Sequence, residues 1–459
     1  MELKSAFESS LNYLIATRQP DCLWVALSGG LDSVSLLYLV ADARRQGWLQ
    51  LPIKAVHINH GLSKNAADWE NSCQSLCEHL DIELAVRHVI PRQGARLSLE
   101  QEARAARYQA LQETVSSNEL LLTGHHQDDQ AETFLLRLQR GSGPTGLAAM
   151  ASISEVREGL WVGRPLLEVR RQGLEAYLAT KSIAWVEDES NFDQGFDRNF
   201  LRHQIMPLLR TRWPAIDATI SRSAKLCTEQ EQLVDELLQD DLMRAMGGVP
   251  GQSERPGQLS VIYLRDQSTL KQRALFRGWL KLHRALMPNE AKLTSALPDL
   301  LYARADASPE LQGEGWVVRR YRDLLWLVEP QPVSDLSNEV ICWDMSEPLK
   351  LPCSLGWLHA DKVKSDSSIG LRLPLSDAEV VTVRFRSPAT SIQCKPAGRS
   401  GSRSLKKLLH EYGVPPWLRD QVPLLFYGEE LAAVVGLFVC EPFVEVAGQG
   451  VNVNLEASL

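Results

Sequence analysis

Ser28-Gly29-Gly30-Leu31-Asp32-Ser33 places two hydroxyls, two glycines and a carboxylate within six residues. Ahead of it, Leu23-Trp24-Val25-Ala26-Leu27 reads as a buried strand. Behind it, Val34, Leu36, Leu37, Leu39 and Val40 are spaced as the buried face of a helix. A strand-to-helix turn of this composition suits a phosphate. Glycines let backbone N–H groups approach a ligand closely, the hydroxyls add donors, and a helix N-terminus attracts anions. The plainer reading is an ordinary turn with Asp32 or Ser33 as helix N-cap. No Gly-Lys-Ser/Thr follows four residues after a glycine, so a Walker A kinase or GTPase has no support.

A second cluster, Gly124-His125-His126-Gln127-Asp128-Asp129-Gln130-Ala131-Glu132-Thr133, packs two imidazoles and three carboxylates together. Asp129 and Glu132 are three apart, so on a helix they share a face. Carboxylates in that arrangement suit Mg²⁺, which takes oxygen ligands and bridges phosphates, or a cationic nucleophile. Zinc competes as a reading, since His and Asp also bind it. So does an N-cap with a solvated first turn. Further on, Arg198 and Arg202 are i,i+4 and a helix would present both from one face. Two guanidiniums so placed suit a phosphate or an RNA backbone, against the alternative of an ion pair with Asp188 or Glu189.

The elements that must position these residues alternate. Strands are expected at 23–27, 53–58, 84–86, 120–122 and 184–186, and helices after residue 33 and at 68–80, 99–116 and 131–140. Such alternation predicts an α/β parallel sheet covered by helices, with ligands at the carboxyl ends of strands. The Ser28 loop, His57–His60 and Gly124–Asp129 all fall there. From about residue 217 the pattern becomes mainly helical, over 218–245 and 270–286, with a hairpin over 317–328 turning near Arg322-Asp323. Glycine and proline loops break it at 247–251, 256–257 and 330–332. Alternating Val/Leu segments beyond predict a small β-rich α+β domain. The expected domains are 1–216, 217–330 and 331–459.

At 459 residues with a formal charge of −8, overall charge does not advertise nucleic acid, and any RNA contact needs a local basic patch. Residues 384–407 supply one, with seven Lys/Arg and no Asp or Glu. Tyr412 and Trp417 just beyond it are candidates for stacking on bases. Eight cysteines without a Cys-x-x-Cys pair, no signal peptide and no run long enough to span a bilayer predict a cytoplasmic protein with free thiols and no membrane.

Ser-Gly-Gly-x-Asp-Ser resembles the pyrophosphate loop of the N-type ATP pyrophosphatases (PP-loop superfamily), which cleave ATP between the α- and β-phosphates. The whole ordered set is more specific. It comprises Ser28–Ser33, His57-Ile58-Asn59-His60-Gly61-Leu62, Glu100 with Arg104, Arg107 and Tyr108, and His125-His126-x-Asp128-Asp129-x-x-Glu132-Thr133. Arg140-Gly141-Ser142-Gly143, Arg164-Pro165-Leu166, Asp188-x-Ser190-Asn191 and Arg198-Asn199-x-x-Arg202 follow. This resembles the tRNA(Ile)-lysidine synthetase family, densely over about residues 20–210. Lys406-Lys407-Leu408, Pro415-Pro416-Trp417-x-Arg419 and Pro423-Leu424 resemble its longer bacterial form with a complete C-terminal domain.

The resemblance implies a Rossmann-like catalytic domain. It also implies a reaction in which the wobble cytidine of a CAU-anticodon tRNA(Ile) is adenylated by ATP and free L-lysine then displaces AMP. It implies that Ser28, Gly29, Gly30, Leu31, Asp32, Ser33, His57 and Gly124 bind ATP, with Asp32 catalytic and beside Mg²⁺. His57 and His60 would shape the nucleotide pocket. Asp129 and Glu132 would capture lysine and act in catalysis. Arg104, Arg107, Arg198, Arg202, Arg403, Lys406 and Lys407 would contact tRNA, the C-terminal domain holding the acceptor stem. Family members are often dimers, which implies a homodimer. A cytidine thiolase would need the Cys-x-x-Cys pairs this chain lacks. A glutamine-fed ligase would need a glutaminase nucleophile that is not seen. A tRNA-binding protein with a dead nucleotide fold does not suit an intact Ser28–Ser33 loop and acidic cluster.

Overall fold

The computed structural model describes residues 2–61, 63–90, 99–187, 189, 193–247, 258–304, 307–328, 335–353, 355–362, 370–374, 379–387, 391–445 and 450–456. Leu62, Asp188, Ser190 and Asn191, and the loop positions 248–251, 256–257 and 330–332, lie outside these residues. The chain divides into two compact units, 1–237 and 238–459.

The first unit begins with α1 (Glu2–Arg18), β1 (Leu23–Ala26), α2 (Leu31–Arg45), β2 (Ile53–Asn59), α3 (Ala66–Leu80) and β3 (Glu83–His88). There follow α4 (Leu99–Thr114), β4 (Leu120–Leu122), α5 (Gln127–Gln139), α6 (Pro144–Leu147), β5 (Ile153–Arg157), β6 (Leu160–Gly163) and α7 (Arg171–Lys181). The sheet runs β3-β2-β1-β4-β6-β5, parallel except for β5. Both faces are covered, and β1 shows why its run reads as continuously apolar. Leu23 and Val25 pack into one core with Val34, Leu37 and Leu120, whereas Trp24 packs into the other with Val56 and Leu121. Strand order reverses between β1 and β4, the point where a doubly wound sheet opens a crevice at its carboxyl edge. The two motif loops leave the sheet there.

The strand expected at 184–186 does not form. The shortness of the run Ala184-Trp185-Val186 does not decide this, since Leu120–Leu122 is as short and does pair. The backbone of 184–186 is used otherwise, since Val186 N–H donates to the Gly29 carbonyl at 2.9 Å. The sheet instead gains β5 and β6, a short antiparallel pair turning at Gly159 in the left-handed region.

Asp42 ties α2 to α7. It is buried and accepts hydrogen bonds from Tyr177 Oη at 2.8 Å and Lys181 Nζ at 3.1 Å, and from Arg45. Burial pushes its carboxyl up, but the bonds from Lys181, Tyr177 and Arg45 outweigh that and leave it below its ordinary value. A depressed carboxyl contributes stability that is fully present above the unfolded value of about 3.9 and is lost as pH falls through the folded one. Asp42→Asn is therefore expected to lower stability by about 1–3 kcal/mol at pH 7, the cost of stripping charge-assisted bonds from a buried site. The gap to wild type should narrow below about pH 4, as denaturant melts at both pH values would show. A gap independent of pH would contradict the assignment.

Between α7 and the end of the first unit lie α8 (Asp197–Phe200), a π-helical turn (Leu201–Ile205), α9 (Met206–Arg212) and the long α10 (Ile216–Met246), which continues past residue 237. The second unit opens on a mainly helical part that includes a small sheet. β7 (Gln258–Ser260), α11 (Val261–Arg265), α12 (Thr269–Leu282) and α13 (Glu290–Tyr302) precede β8 (Glu310–Gln312), β9 (Val317–Tyr321) and β10 (Leu324–Val328). The sheet order is β7-β10-β9-β8. The expected hairpin is β9–β10, turning at Arg322 with φ 55°. Leu275, Phe276, Trp279 and Leu280 of α12 meet Leu293, Leu297, Leu300 and Leu301 of α13 in one core, at the spacings of helix faces.

The C-terminal part is β-rich. It comprises β11 (Val340–Cys342), β12 (Leu349–Lys350), β13 (Trp357–Lys362), β14 (Val381–Arg384), β15 (Gln393–Cys394), β16 (Arg403–Ser404) and α14 (Leu405–Glu411). β17 (Leu424–Tyr427), β18 (Glu430–Val434), β19 (Phe438–Val439) and β20 (Val451–Glu456) complete it. The main sheet is β11-β14-β17-β18-β19, and a smaller one is β12-β13-β20. Trp417 is not offered for base stacking. Tyr321 and Trp326 of the hairpin meet it edge-on at 6.1 and 6.3 Å, and the Arg319 guanidinium lies 5.4 Å from its ring. Its sequence position gave no sign of partners a hundred residues upstream.

Candidate active site

The Ser28–Ser33 turn is held by its own side chains. Ser33 Oγ donates to the Gly30 carbonyl at 3.0 Å and accepts from Ser28 N–H at 3.1 Å, while the two serine hydroxyls lie 3.1 Å apart. Gly29 has φ +86°, which only glycine adopts freely, and Gly30 is the N-cap of α2. Leu31 is buried in the core beneath, so it anchors the turn through packing. Gly124 closes against this turn from the end of β4. A Cβ there would lie 2.7 Å from the Asp32 carbonyl carbon and oxygen. His57 is buried, and its Nδ1 donates to the Leu27 carbonyl at 2.8 Å, which fixes the ring under the loop.

The acidic cluster opens α5 and divides by partner. Asp128 turns away. It accepts from Arg171 N–H at 3.0 Å, capping α7, and from Arg210 Nη2 at 2.6 Å, whose guanidinium also grips Asp217. Asp129 and Glu132 point together as their spacing predicts. Arg198 donates through Nε to Glu132 Oε2 and through Nη2 to Asp129 Oδ1, both at 2.8 Å. Arg202 donates through Nε to Glu132 Oε1 at 2.7 Å and through Nη2 to Glu132 Oε2 at 2.9 Å and Asp129 Oδ1 at 3.2 Å. The arginines' ion pairs are thus with the motif carboxylates and not with Glu189, as far as the described residues extend. The π-helical turn that follows α8 carries Arg202 and keeps it beside Arg198.

His126 joins the two motifs. It is the N-cap of α5 and is 1% exposed. Its Nε2 lies 3.3 Å from Asp32 Oδ1 and 3.4 Å from Asp129 Oδ2. Burial favours the neutral ring, but the hydrogen bond to Asp32 and the charges of Asp129, Asp32 and Asp128 prevail and raise its pKa above the ordinary range. Asp129 is lowered despite its burial, by the positive charge of His126 and Arg198. The neighbouring His125 behaves oppositely. Burial drives it down to about 4, and its Nδ1 lies 2.8 Å from Thr123 Oγ1. Among the described residues no group of three or more His, Cys, Asp or Glu is arranged to hold a metal ion. The zinc reading of this cluster gains nothing from the geometry, because its carboxylates face arginines.

Residues 3–209 match the PP-loop domain family, residues 259–326 the TilS substrate binding domain and residues 381–455 the TilS substrate C-terminal domain. The chain is 41% identical over 441 residues to the tRNA(Ile)-lysidine synthase of Shigella flexneri, covering 96% of each chain. It is 38% identical over 449 residues to that of Coxiella burnetii, covering 98% of this chain and 96% of the other. The chain belongs to the tRNA(Ile)-lysidine synthase family. It is an ATP-dependent ligase with a PP-loop nucleotide-binding domain. No helix among the described residues is long and apolar enough to cross a membrane.

In this member of the tRNA(Ile)-lysidine synthase family the cations named from sequence occupy three settings. Arg198 and Arg202 line the acidic pair. Arg104 and Arg107 are exposed on α4 without a carboxylate partner among the described residues, Arg104 lying 5.1 Å from the Tyr108 ring. The C-terminal stretch is less basic than it reads. Arg384 pairs with Glu429, Arg386 with Asp420, Lys395 with Glu441, and Arg399 and Arg403 both pair with Glu411. Lys406 and Lys407 stay exposed, with no carboxylate partner among the described residues. Three residues carry structural weight at the site through contacts that sequence reading missed. Val186 donates to the loop at Gly29, Arg210 braces Asp128, and His126 bridges Asp32 to Asp129. Only His126 left a signal, its place in the motif.

Proposed function

We propose that this chain ligates L-lysine to the wobble cytidine of a CAU-anticodon tRNA(Ile), releasing AMP and pyrophosphate and switching decoding from methionine to isoleucine codons. The observation that carries the reading is one unbroken run of contacts. It leads from the phosphate turn at Asp32, through His126, to the acidic pair Asp129 and Glu132 and its two arginines. The group that leaves and the group that attacks are thus served by one rigid element, the first turn of α5.

Residues 1–216 act as the catalytic domain, with 217–330 and 331–459 orienting and holding the tRNA. The turn of Ser28 to Ser33 cradles the departing pyrophosphate with hydroxyl and backbone donors preset before charge builds on it, the main device of phosphate chemistry. Gly124 allows β4 to approach that turn, and His57 supports it from below. Asp32 suits Mg²⁺. Its buried Oδ1 has His126 Nε2 3.3 Å away and accepts no shorter bond among the described residues, and this metal is commonly held by one or two carboxylates plus phosphates. Bound there, Mg²⁺ would neutralise phosphate charge. Lysine arrives as an ammonium of pKa about 10.4, so the site must draw it in and then favour its neutral form by desolvation. Asp129 and Glu132 draw it in. Their oxygens are engaged by guanidiniums, so the ammonium must take the place of one. Arg198, at 39% side-chain exposure against 24% for Arg202, is the one that gives way. Arg104, Arg107, Arg403, Lys406 and Lys407 contact tRNA phosphates, and the enzyme works in the cytoplasm.

The test is [¹⁴C]lysine incorporation into unmodified tRNA(Ile) carrying CAU, with and without ATP, methionine tRNA serving as control. ATP-dependent label in the isoleucine tRNA alone, abolished by Asp32→Ala, is the expected result. Absence of label, with AMP released on some other RNA, would retain the ligase chemistry and reject lysine transfer.

A further inference from the structure

The C-terminal part of the second unit carries a constellation that the reaction centre does not use. Glu411, the last residue of α14, accepts from Arg399 Nη1 at 2.5 Å and from Arg403 Nη1. One carboxylate shared by two guanidiniums leaves a net positive charge. It also fixes both forks while using few of the five N–H donors on each. Both arginines remain solvent-accessible.

Beside them the Arg399 guanidinium lies 5.4 Å from the centroid of the Tyr412 ring, and Phe438 stacks on that ring at 5.1 Å with a 31° tilt. Tyr412 is 37% exposed. A cavity of about 310 Å³ opens along these rings, lined also by Ala397, Gly436, Asn452 and Asn454. Lys406 and Lys407 stand one turn earlier on α14, exposed.

Cationic forks beside a cavity lined mostly by apolar residues, with aromatic rings in its wall, suit one kind of ligand. It is anionic at one end and planar at the other. An acidic peptide would use the arginines but leave the aromatic wall idle. We propose that this is a subsite for one unpaired nucleotide of an RNA strand. Its phosphate lies on Arg399 and Arg403, and its base enters the cavity against Tyr412 and Phe438. Glu411 is a positioning residue here, holding both arginines through one carboxylate. The assignment rests on the reading of the chain as a tRNA-modifying ligase, and adds a contact that reads single-strandedness away from the wobble base.

The full chain is titrated with a CAU-anticodon tRNA(Ile) transcript, and unpaired nucleotides are probed chemically in the complex. Tyr412→Leu should weaken binding about tenfold, within the range for loss of one base stack. It should also expose one unpaired nucleotide that wild type protects, and Tyr412→Phe should restore both. Glu411→Gln should weaken binding and leave the circular dichroism melt of the chain intact. Tyr412→Leu binding within twofold of wild type, or weaker binding with no unpaired nucleotide newly exposed, would overturn the subsite. Lysine incorporation is scored separately at saturating tRNA. A chain that binds tRNA through Tyr412 but transfers no lysine would refute the reaction and keep the subsite.

Discussion

Glu132→Gln is expected to raise the KM for lysine by more than about a hundredfold while leaving tRNA-dependent pyrophosphate release, measured without lysine, within about fivefold of wild type. Glu132 is 1% exposed, and both its oxygens receive guanidinium N–H groups. Removing its charge leaves Arg198 and Arg202 facing Asp129 alone, so an incoming ammonium meets net repulsion. The same change leaves the run from Asp32 to His126 to Asp129 untouched, because no link in it passes through Glu132. Breaking a buried ion pair usually costs about 3–5 kcal/mol. About 2–3 kcal/mol is expected here, since the amide oxygen still accepts one bond and Arg198 keeps 39% of its side chain in solvent. Steady-state kinetics in lysine, paired with a denaturant melt, check both parts. An unchanged KM for lysine would remove Glu132 from the amine site. Equal losses in both half-reactions would make it a structural support of the whole centre.

The form of the Ser28–Ser33 turn and of the acid pair was legible because each is a local device. Two glycines with φ and approach constraints, or two carboxylates three residues apart on a helix, act within a few residues of chain. What they face was not legible. Glu132 and Arg198 meet across 66 residues, and i,i+4 spacing alone could say that Arg198 and Arg202 act together but not on what. The same limit explains the basic stretch. Glu411, Asp420, Glu429 and Glu441, which neutralise five of its cations, lie outside it in sequence and reach it through the β-sheet and α14. Trp417 and residues 184–186 show the limit on the fold side. One was free for a base and the other free for a strand until a distant partner claimed it, the hairpin rings for Trp417 and the Gly29 carbonyl for Val186. The parallel sheet was readable because both its faces are buried, which makes short strands such as Leu120–Leu122 continuously apolar.

Gly124→Ala should reduce ATP turnover by at least about a hundredfold, because the added methyl strikes backbone. A Cβ at this position lies 2.7 Å from both the carbonyl carbon and oxygen of Asp32 and 3.1 Å from Ser33 N. A side-chain clash could be relieved by a rotamer change. This one requires the first turn of α2 to move away from the end of β4, and misplacement of about 1 Å in a preorganised site commonly costs two orders of magnitude. The move would carry Asp32 away from His126 and strain the hydrogen bonds that Ser28 and Ser33 use to fold the turn. Forced overpacking typically costs about 1–3 kcal/mol, so the variant should still fold, with a lowered melting temperature. Gly401→Ala is the matched control. Its Cβ meets nothing within 4 Å and its φ is not in the left-handed region, so AMP release should be unchanged. Gly124→Ala retaining wild-type AMP release would show that β4 and the phosphate turn do not need their close approach. Loss of activity with an unchanged melt, against the lowered one expected, would confine the strain to the six residues of the Ser28–Ser33 turn and spare the sheet beneath them.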